Sequence, residues 1–360
     1  MQKKYVIGLD YGTLSGRAVI VDCENGKVLA ASVKNYEHGV MSENLPTGAK
    51  ISGGDWALEA PEDYIDVLIT TVKDAVEKAK VSKRDIIGIG LDFTSCTILP
   101  VDEKNKPLCS SERFKNEPHA YVKLWKHHGA QPQTDKITRL LEKRGEINNA
   151  QYGGKISPEL MLPKILQIVE EAPEVYKAAD QILEAGDWLT QCMTGSKKRA
   201  ADLAGYKAMW NQEKGYPPKD FLEELTPLLT NLVEEKLSED IVMAGESVGN
   251  LNKEWAEKLL DYCDKHFNEF LSRYGFIDLL DIEIITEKIR SATAKELYLV
   301  KDMFKTVYGA SNINDFFIND KENIEKLLKQ LEQIEFEGIN KPLAKKTLEF
   351  YLKDIITRLE

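Results

Sequence analysis

Three short apolar runs separated by turn residues open the sequence, and this pattern constrains the fold more than any other feature. The runs cover Tyr5 to Asp10, Arg17 to Asp22 and Lys27 to Tyr36. The tetrapeptide ENGK joins the second and third runs, and Asn-Gly between two apolar runs is the strongest short signal for a β-hairpin. The sequence therefore predicts a three-stranded antiparallel meander at the start of the fold.

Helical and strand patterns alternate after this meander. Pro61 to Lys80 carries apolar residues at helical spacing. The nearly unbroken apolar run DIIGIGLDFTSCTILPVD, from Asp85, predicts one strand buried on both faces in the middle of a helix-covered sheet. Tyr121 to Leu189 is mainly helical in pattern. The fold class predicted for residues 1–258 is therefore mixed α/β.

The last hundred residues have a different composition. They are rich in Lys, Glu, Ile and Leu, nearly free of Gly, and include the helical pattern NIEKLLKQLEQIEFEG. The sequence predicts that residues 259–360 form an all-α tail unrelated to residues 1–258, with solvated charged helix faces.

Composition limits the functions that the chain can have. A net charge of -11 argues against a duplex nucleic-acid partner, because such proteins present a basic surface to phosphates. No apolar run approaches the roughly 20 residues of a membrane helix, and MQKK leads directly into a strand, so we expect a cytoplasmic protein without a membrane partner. The five cysteines lack metal spacing and are expected to be free thiols.

The turn after the first strand carries the residue types of a phosphate site. Asp10 ends the strand, and the turn through Gly12 continues with the hydroxyls of Thr13 and Ser15. Backbone N–H groups and hydroxyls bind anionic oxygens, while an aspartate holds hydrated Mg²⁺. An ordinary β-turn explains the same residues, so both interpretations stay open. The chain has no GxxxxGK[ST] motif, and GIGLD at Gly88 lacks the GxGxxG spacing.

The segment from Asp10 to Arg17, DYGTLSGR, resembles the first phosphate motif of the FGGY carbohydrate kinases, whose ribonuclease H-like ATPase fold is shared with actin. Four further stretches are similar to the members of this family that act on L-ribulose in L-arabinose breakdown: IGIGLDFTSCTILPVD, EPHAYVKLWKHHGA, YGGKISPELMLPKILQIVEEAPEVYKAADQILEAGDWL and AGYKAMWNQEKGYP. The resemblance covers residues 1 to about 258 and implies the first, sugar-binding lobe of such a kinase.

This resemblance assigns roles to the turn residues. It implies that Asp10 holds Mg²⁺, and that Gly12, Thr13 and Arg17 lie near the transferred phosphoryl group of ATP, with Ser15 in the same phosphate- and Mg²⁺-binding turn.

The resemblance also implies that Ser95, Trp125 and Lys207 contact the sugar, L-ribulose or a related ketopentose. A lysine can donate hydrogen bonds to ketose oxygens, and an aromatic face covers the C–H side of a sugar. The alternatives stay open that Lys207 is a surface lysine and that Trp125 is a core residue. Adjacent His127 and His128 would point in different directions on a helix, and we interpret them as structural.

The family pattern stops near residue 258. The resemblance implies that a catalytic aspartate and an ATP-binding domain follow there, but neither pattern is visible. The carboxylates Asp261, Asp264, Asp278 and Asp281 have unrelated surroundings, so the catalytic base is unknown. Three hypotheses remain: a kinase by descent that phosphorylates L-ribulose, a non-catalytic ketopentose-binding or interaction module, or a decayed product with no selected role. The chain could then form a homo-oligomer or pair with an intact kinase.

Overall fold

The computed structural model describes residues 3–146 and 155–260. The strands in these residues are β1 (Tyr5–Tyr11), β2 (Ser15–Asp22), β3 (Val28–Asn35), β4 (Leu58–Glu59), β5 (Ile86–Phe93), β6 (Ile98–Val101), β7 (Val122–Lys123), β8 (Gln181–Glu184), β9 (Arg199–Ala200) and β10 (Ile241–Val242). The α-helices are α1 (Pro61–Ala79), α2 (Gln131–Arg144), α3 (Met161–Glu171), α4 (Pro173–Ala178), α5 (Ala185–Thr194), α6 (Ala201–Tyr206), α7 (Lys219–Leu225) and α8 (Lys253–Leu260).

The first sheet has four strands in the order β3-β2-β1-β5. Strands β1, β2 and β3 pair antiparallel, which confirms the predicted meander, and β5 pairs parallel to β1. Residues alternate between the two faces of a strand, and one face of β1 is buried through Ile7 and Leu9. Helix α1 packs on the sheet, with Leu68 and Val72 fully buried. This packing forms one of the two hydrophobic cores found in the described residues.

The prediction of one long strand from Asp85 was wrong. The extended run is interrupted from Thr94 to Thr97, and the two strands on either side, β5 and β6, belong to different sheets. Cys96 adopts φ 61° in this break, a left-handed conformation that ends an extended run. Strand β5 lies at the edge of the first sheet as described and is partly exposed, whereas all of β6 is buried. Alternating glycines leave β5 without the side chains of a doubly buried strand.

The second sheet, in the order β4-β7-β6-β8, is antiparallel. It contributes to a second hydrophobic core, to which α2, α3 and α7 also contribute. Strands β7 and β8 lie inside the range 121–189, so the mainly helical interpretation of that range was wrong for these two segments. Both strands are buried, and in such short apolar runs periodicity does not distinguish a strand from a helix.

Replacing Gly16 with alanine is expected to destabilise the fold by about 1–3 kcal/mol, as overpacking does elsewhere. Gly16 lies on β2 under α1, and an added Cβ would lie 2.5 Å from Val67 Cγ1. Urea unfolding followed by circular dichroism measures the loss. Gly90→Ala on β5 is the matched control, because no heavy atom lies within 4 Å of its added Cβ. Equal stability of the two variants would contradict this packing.

The predicted all-α tail, residues 259–360, lies outside the described residues except for Leu259 and Leu260 at the end of α8. Helix α8 packs against α1 and buries Trp255 in the core of the first sheet. In the described part of the chain, no helix is long and apolar enough to span a membrane.

Candidate active site

The turn between β1 and β2 is closed by its own backbone. The Gly12 N–H donates to the Ser15 carbonyl (3.0 Å), so this N–H is not free for a ligand, contrary to expectation. The Tyr36 hydroxyl donates to the Gly12 carbonyl (2.8 Å) and fixes the turn from the β3 side. The Asp10 carboxylate stays 44% exposed and pairs with Arg17 at 3.1 Å. The turn therefore presents a carboxylate and a cation to solvent rather than packing them in the core.

A second aspartate lies beside Asp10. Strand β1 ends in Gly-Leu-Asp-Tyr and β5 in Gly-Leu-Asp-Phe, and the parallel register pairs these residues one to one, with Asp10 opposite Asp92. Register partners on neighbouring strands share a face about 4.8 Å apart. We missed Asp92 in the sequence, although the repeated tetrapeptide is a visible signal. The arrangement brings two carboxylates to one edge of the turn.

Aromatic side chains pack together at the ends of β1 and β5, next to this turn. The rings of Tyr11 and Phe93 stack with centroids 4.8 Å apart, and Tyr64 meets both edge-on. The Tyr11 hydroxyl donates to the Tyr64 carbonyl on α1 (3.0 Å). Because the stacked residues directly follow Asp10 and Asp92, their packing holds the two carboxylate-bearing strand ends in place.

Trp125 joins the predicted sugar residues to the predicted phosphate turn. Its indole Nε1 donates to the Thr13 hydroxyl (3.1 Å), although 112 positions separate the two residues. The Lys207 ammonium lies 5.7 Å from the centre of the Trp125 ring. Trp125 is half-buried and the Lys207 side chain is 20% exposed, so neither is a plain core or surface residue. Trp125 therefore contacts both Thr13 and Lys207.

A buried lysine fixes the backbone next to Ser95 and Trp125. Lys164 on α3 is fully buried, and its ammonium donates to the carbonyls of Cys96 (2.6 Å) and Leu124 (2.8 Å). These carbonyls adjoin Ser95 and Trp125, so Lys164 fixes the two predicted sugar residues relative to each other. Burial lowers the pKa of Lys164. Its signal in the sequence is a lysine within the otherwise apolar stretch LMLPKIL.

Glu159 completes the polar residues here, and we also missed it in the sequence. Its carboxylate contacts the Lys207 ammonium at 2.5 Å and His128 Nε2 at 3.3 Å. Burial acts to raise the pKa of Glu159, but the hydrogen bonds from Lys207 and His128 hold it below its ordinary value. A fixed negative charge therefore lies next to the lysine that is predicted to contact the sugar.

Comparison with known proteins identifies the architecture. The N-terminal domain of the FGGY family of carbohydrate kinases matches residues 5–261. The chain belongs to the FGGY family of carbohydrate kinases. A ribulokinase of Bacillus licheniformis is 50% identical over 245 residues, which are 68% of this chain and 44% of that protein. A ribulokinase of Halalkalibacterium halodurans is 49% identical over 259 residues, 72% of this chain and 46% of that protein.

The solved structures agree on the fold. Gluconate kinase from Lactobacillus acidophilus superposes with a TM-score of 0.54 at 18% sequence identity, covering 71% of this chain and 45% of that one. The predicted fold class, the actin-like first lobe of an FGGY kinase, is thereby confirmed for the described residues. This FGGY chain spans less than half the length of the two ribulokinases that it matches.

The two adjacent histidines of this FGGY chain have different surroundings. Both lie in the loop before α2, not on a helix as we predicted. His127 is fully buried, receives the Ala57 N–H at Nδ1 (3.3 Å) and contacts Gln167 through Nε2 (2.9 Å), and burial lowers its pKa to about 2. His127 is therefore structural. His128 is half-exposed beside Glu159. Residues 3–146 and 155–260 contain no cluster of three or more residues suited to a metal.

Two buried carboxyls flank the candidate site. Glu184, at the end of β8, is fully buried, and both of its side-chain oxygens are without a hydrogen-bond partner. Burial raises its pKa to about 8, although the charges of Arg199 and Lys164 act in the opposite direction. Burial likewise raises the pKa of Glu59 to about 8, against the effect of the hydrogen bond that it accepts from Tyr64. Both groups are therefore largely protonated at neutral pH.

Proposed function

We propose that this chain carries the sugar-binding lobe of an ATP-dependent kinase that phosphorylates L-ribulose to L-ribulose 5-phosphate. The ribulokinases of Bacillus licheniformis and Halalkalibacterium halodurans, which are 50% and 49% identical in sequence to this chain over the matched residues, support this choice of sugar over other substrates of the family. The same proposal places the domain boundary near residue 258, with residues 259–360 as a separate helical segment.

One observation carries the proposal: the hydrogen bond between Trp125 and Thr13. Phosphoryl transfer depends mainly on positioning the acceptor hydroxyl against the transferred group. The bond ties an aromatic face suited to a sugar directly to the turn suited to a phosphate. An L-ribulose molecule on Trp125 would therefore have its terminal hydroxyl near this turn.

The residues of the site divide into two groups with different chemistry. Lys207 donates hydrogen bonds to ketose oxygens, Trp125 covers the C–H face, and the Ser95 hydroxyl can bind a sugar hydroxyl. On the other side, Gly12, Thr13, Ser15 and Arg17 surround the transferred phosphoryl group.

The proposed cofactors are ATP and Mg²⁺. Asp10 and Asp92 are register partners at one edge of the turn, and their carboxylate oxygens suit a hard, hydrated cation such as Mg²⁺. Asp10 would hold this ion, directly or through water. ATP would supply the phosphoryl group, and the ion would neutralise its charge.

A second candidate function is a non-catalytic ketopentose-binding module that pairs with another chain, an intact kinase or a second copy. Two observations favour it. The chain spans less than half of its ribulokinase relatives. Within the described residues, β5 is a partly exposed sheet edge with β1 as its only neighbouring strand.

Replacing Lys207 with alanine is expected to weaken L-ribulose binding at least tenfold, because the site loses its ammonium donor. Isothermal titration calorimetry on the full chain measures this affinity. Lys104→Ala, at an exposed lysine in the turn after β6, is the matched control and should bind like the unchanged protein. An unchanged affinity in Lys207→Ala would remove the proposed sugar site.

A coupled assay with L-ribulose, ATP and Mg²⁺ separates the two candidate functions. Turnover above that of a Lys207→Ala, Asp10→Ala double variant would assign catalysis to this chain. Sugar binding without such turnover would favour the binding module.

A further inference from the structure

Glu159 connects three parts of the chain through one carboxylate. It lies just before α3, its Oε2 contacts the Lys207 ammonium, and its Oε1 contacts His128. The Glu159 side chain is 25% exposed and that of Lys207 is 20% exposed. Partial burial reduces screening by water, so this ion pair is stronger than one on the open surface.

The backbones of the two segments are also joined. The Met161 N–H donates to the Lys207 carbonyl (3.1 Å), and the Glu159 N–H donates to the Ser157 hydroxyl (3.2 Å). Both ends of the ion pair therefore start from fixed backbone positions. The lysine stem between backbone and ammonium has four flexible carbons, and its free rotation costs entropy when it is fixed.

The direction of the Lys207 side chain is the feature that needs an explanation. Its ammonium lies 5.7 Å from the ring centres of both Trp125 and Tyr206. Cation–π attraction at partly exposed sites is weak, about 0.5–1 kcal/mol, and two rings at the same distance do not select one position. The contact with the Glu159 carboxylate is much shorter and directional, so it sets where the ammonium lies.

We propose that Glu159 is the positioning residue of the sugar site: its carboxylate holds the Lys207 ammonium beside the Trp125 ring, oriented to donate to a ketose oxygen. This inference rests on the proposed function. An ammonium has three N–H donors, and Glu159 accepts one, which leaves the others for sugar oxygens. His128 orients the second carboxylate oxygen and so limits rotation of the Glu159 side chain.

The test compares Glu159→Gln with the unchanged full chain. Glutamine keeps the shape and one acceptor oxygen but removes the charge. L-ribulose affinity, measured by calorimetry, is expected to fall about tenfold, with little change in the thermal unfolding midpoint. Glu174→Gln is the matched control, because Glu174 forms an exposed pair with Lys177 outside the site. Unchanged or tighter binding in Glu159→Gln would overturn the proposal.

A second readout does not depend on sugar binding. Acetic anhydride labels free amines, and mass spectrometry of the digested protein measures the labelling rate of Lys207. This rate is expected to rise several-fold in Glu159→Gln and to stay constant in Glu174→Gln. If the unchanged chain binds no L-ribulose, the proposed function fails. The labelling still tests whether Glu159 holds the Lys207 ammonium: an equal labelling rate in Glu159→Gln and the unchanged chain would overturn this role.

Glu159→Asp covers the case in which Glu159→Gln folds poorly. Aspartate keeps the charge but shortens the side chain by one methylene, so we expect affinity and labelling between those of the unchanged chain and the glutamine variant. Values equal to those of the unchanged chain would show that the position of the carboxylate does not matter, and would overturn the proposal.

Discussion

Replacing Arg199 with methionine is expected to lower the free energy of unfolding by about 3–5 kcal/mol, the range for breaking a buried ion pair. Arg199 on β9 is fully buried, and its Nε donates to Asp187 Oδ2 at 3.2 Å. Its Nη1 donates to the Tyr216 hydroxyl (2.6 Å) and the Leu237 carbonyl (3.3 Å). Methionine fills similar space but leaves the buried Asp187 carboxylate without its cation. Chemical unfolding followed by tryptophan fluorescence measures the loss.

Arg144→Met is the matched control for this prediction. Arg144 on α2 also forms several ion pairs, with Asp220, Glu224 and Glu146, but these three carboxylates are 35% to 68% exposed. Exposed pairs are screened and contribute little, so the loss should be clearly smaller. A double variant, Arg199→Met with Asp187→Asn, should recover part of the stability because no buried charge is left unpaired. Equal losses in Arg199→Met and Arg144→Met would contradict the buried role of Arg199.

The contribution of Glu184 to domain stability is expected to fall as pH rises from about 5 to about 8, and Glu184→Gln should remove this contribution. Burial raises the pKa of Glu184 from 4.5 to about 8 in the folded state. Below both values the carboxyl is protonated whether folded or unfolded. Between them only the unfolded chain releases the proton, so rising pH favours unfolding, and the loss is complete above about pH 8. A shift from 4.5 to about 8 corresponds to about 5 kcal/mol for one such group.

The measurement is the slope of unfolding free energy against pH for Glu184→Gln and for the unchanged chain. The slope is the right quantity because a fixed packing cost of the amide shifts both ends of the curve equally. Glu112→Gln, at a side chain that is 90% exposed, is the control and should keep the full slope. Glu59, whose pKa is also raised to about 8, adds a slope of the same sign in Glu184→Gln, whereas the buried His127, whose pKa is lowered to about 2, adds the opposite slope below about pH 6.5. An unchanged slope in Glu184→Gln would contradict the prediction.

Local patterns in the sequence predicted the elements around the phosphate turn well. The Asn-Gly hairpin signal and the apolar runs gave the meander β1 to β3, and helical spacing gave α1 to within one residue at its end. The long apolar run from Asp85 misled us, because its composition does not reveal the left-handed Cys96 that separates β5 from β6. The left-handed conformation of this one residue lies between two strands that belong to different sheets.

The candidate site was predicted as residue types but not as an arrangement. Asp10, Thr13, Trp125 and Lys207 were identified in the sequence, and Asp92, Glu159 and Lys164 were not. Each missed residue acts on a partner far along the chain, such as Lys164 on the carbonyl of Cys96, 68 positions away. Two signals were readable: the repeated Gly-Leu-Asp-aromatic tetrapeptide, because parallel strands place equal positions side by side, and the lysine within the apolar stretch LMLPKIL.

Turn chemistry, apolar periodicity and the family motifs are properties of neighbouring residues, and they were enough to establish the meander, its acidic turn and membership of the FGGY family. Three features depend on three-dimensional packing. They are the hydrogen bond from Trp125 to Thr13, the contact of the Glu159 carboxylate with the Lys207 ammonium, and the raised pKa of Glu184. The physical reason is that hydrogen bonds and desolvation act over a few ångströms in space, whereas the residues concerned lie 48 to 112 positions apart for the two contacts. No local sequence pattern shows which distant segment supplies the hydrogen-bond partner of a side chain or buries a carboxyl away from water.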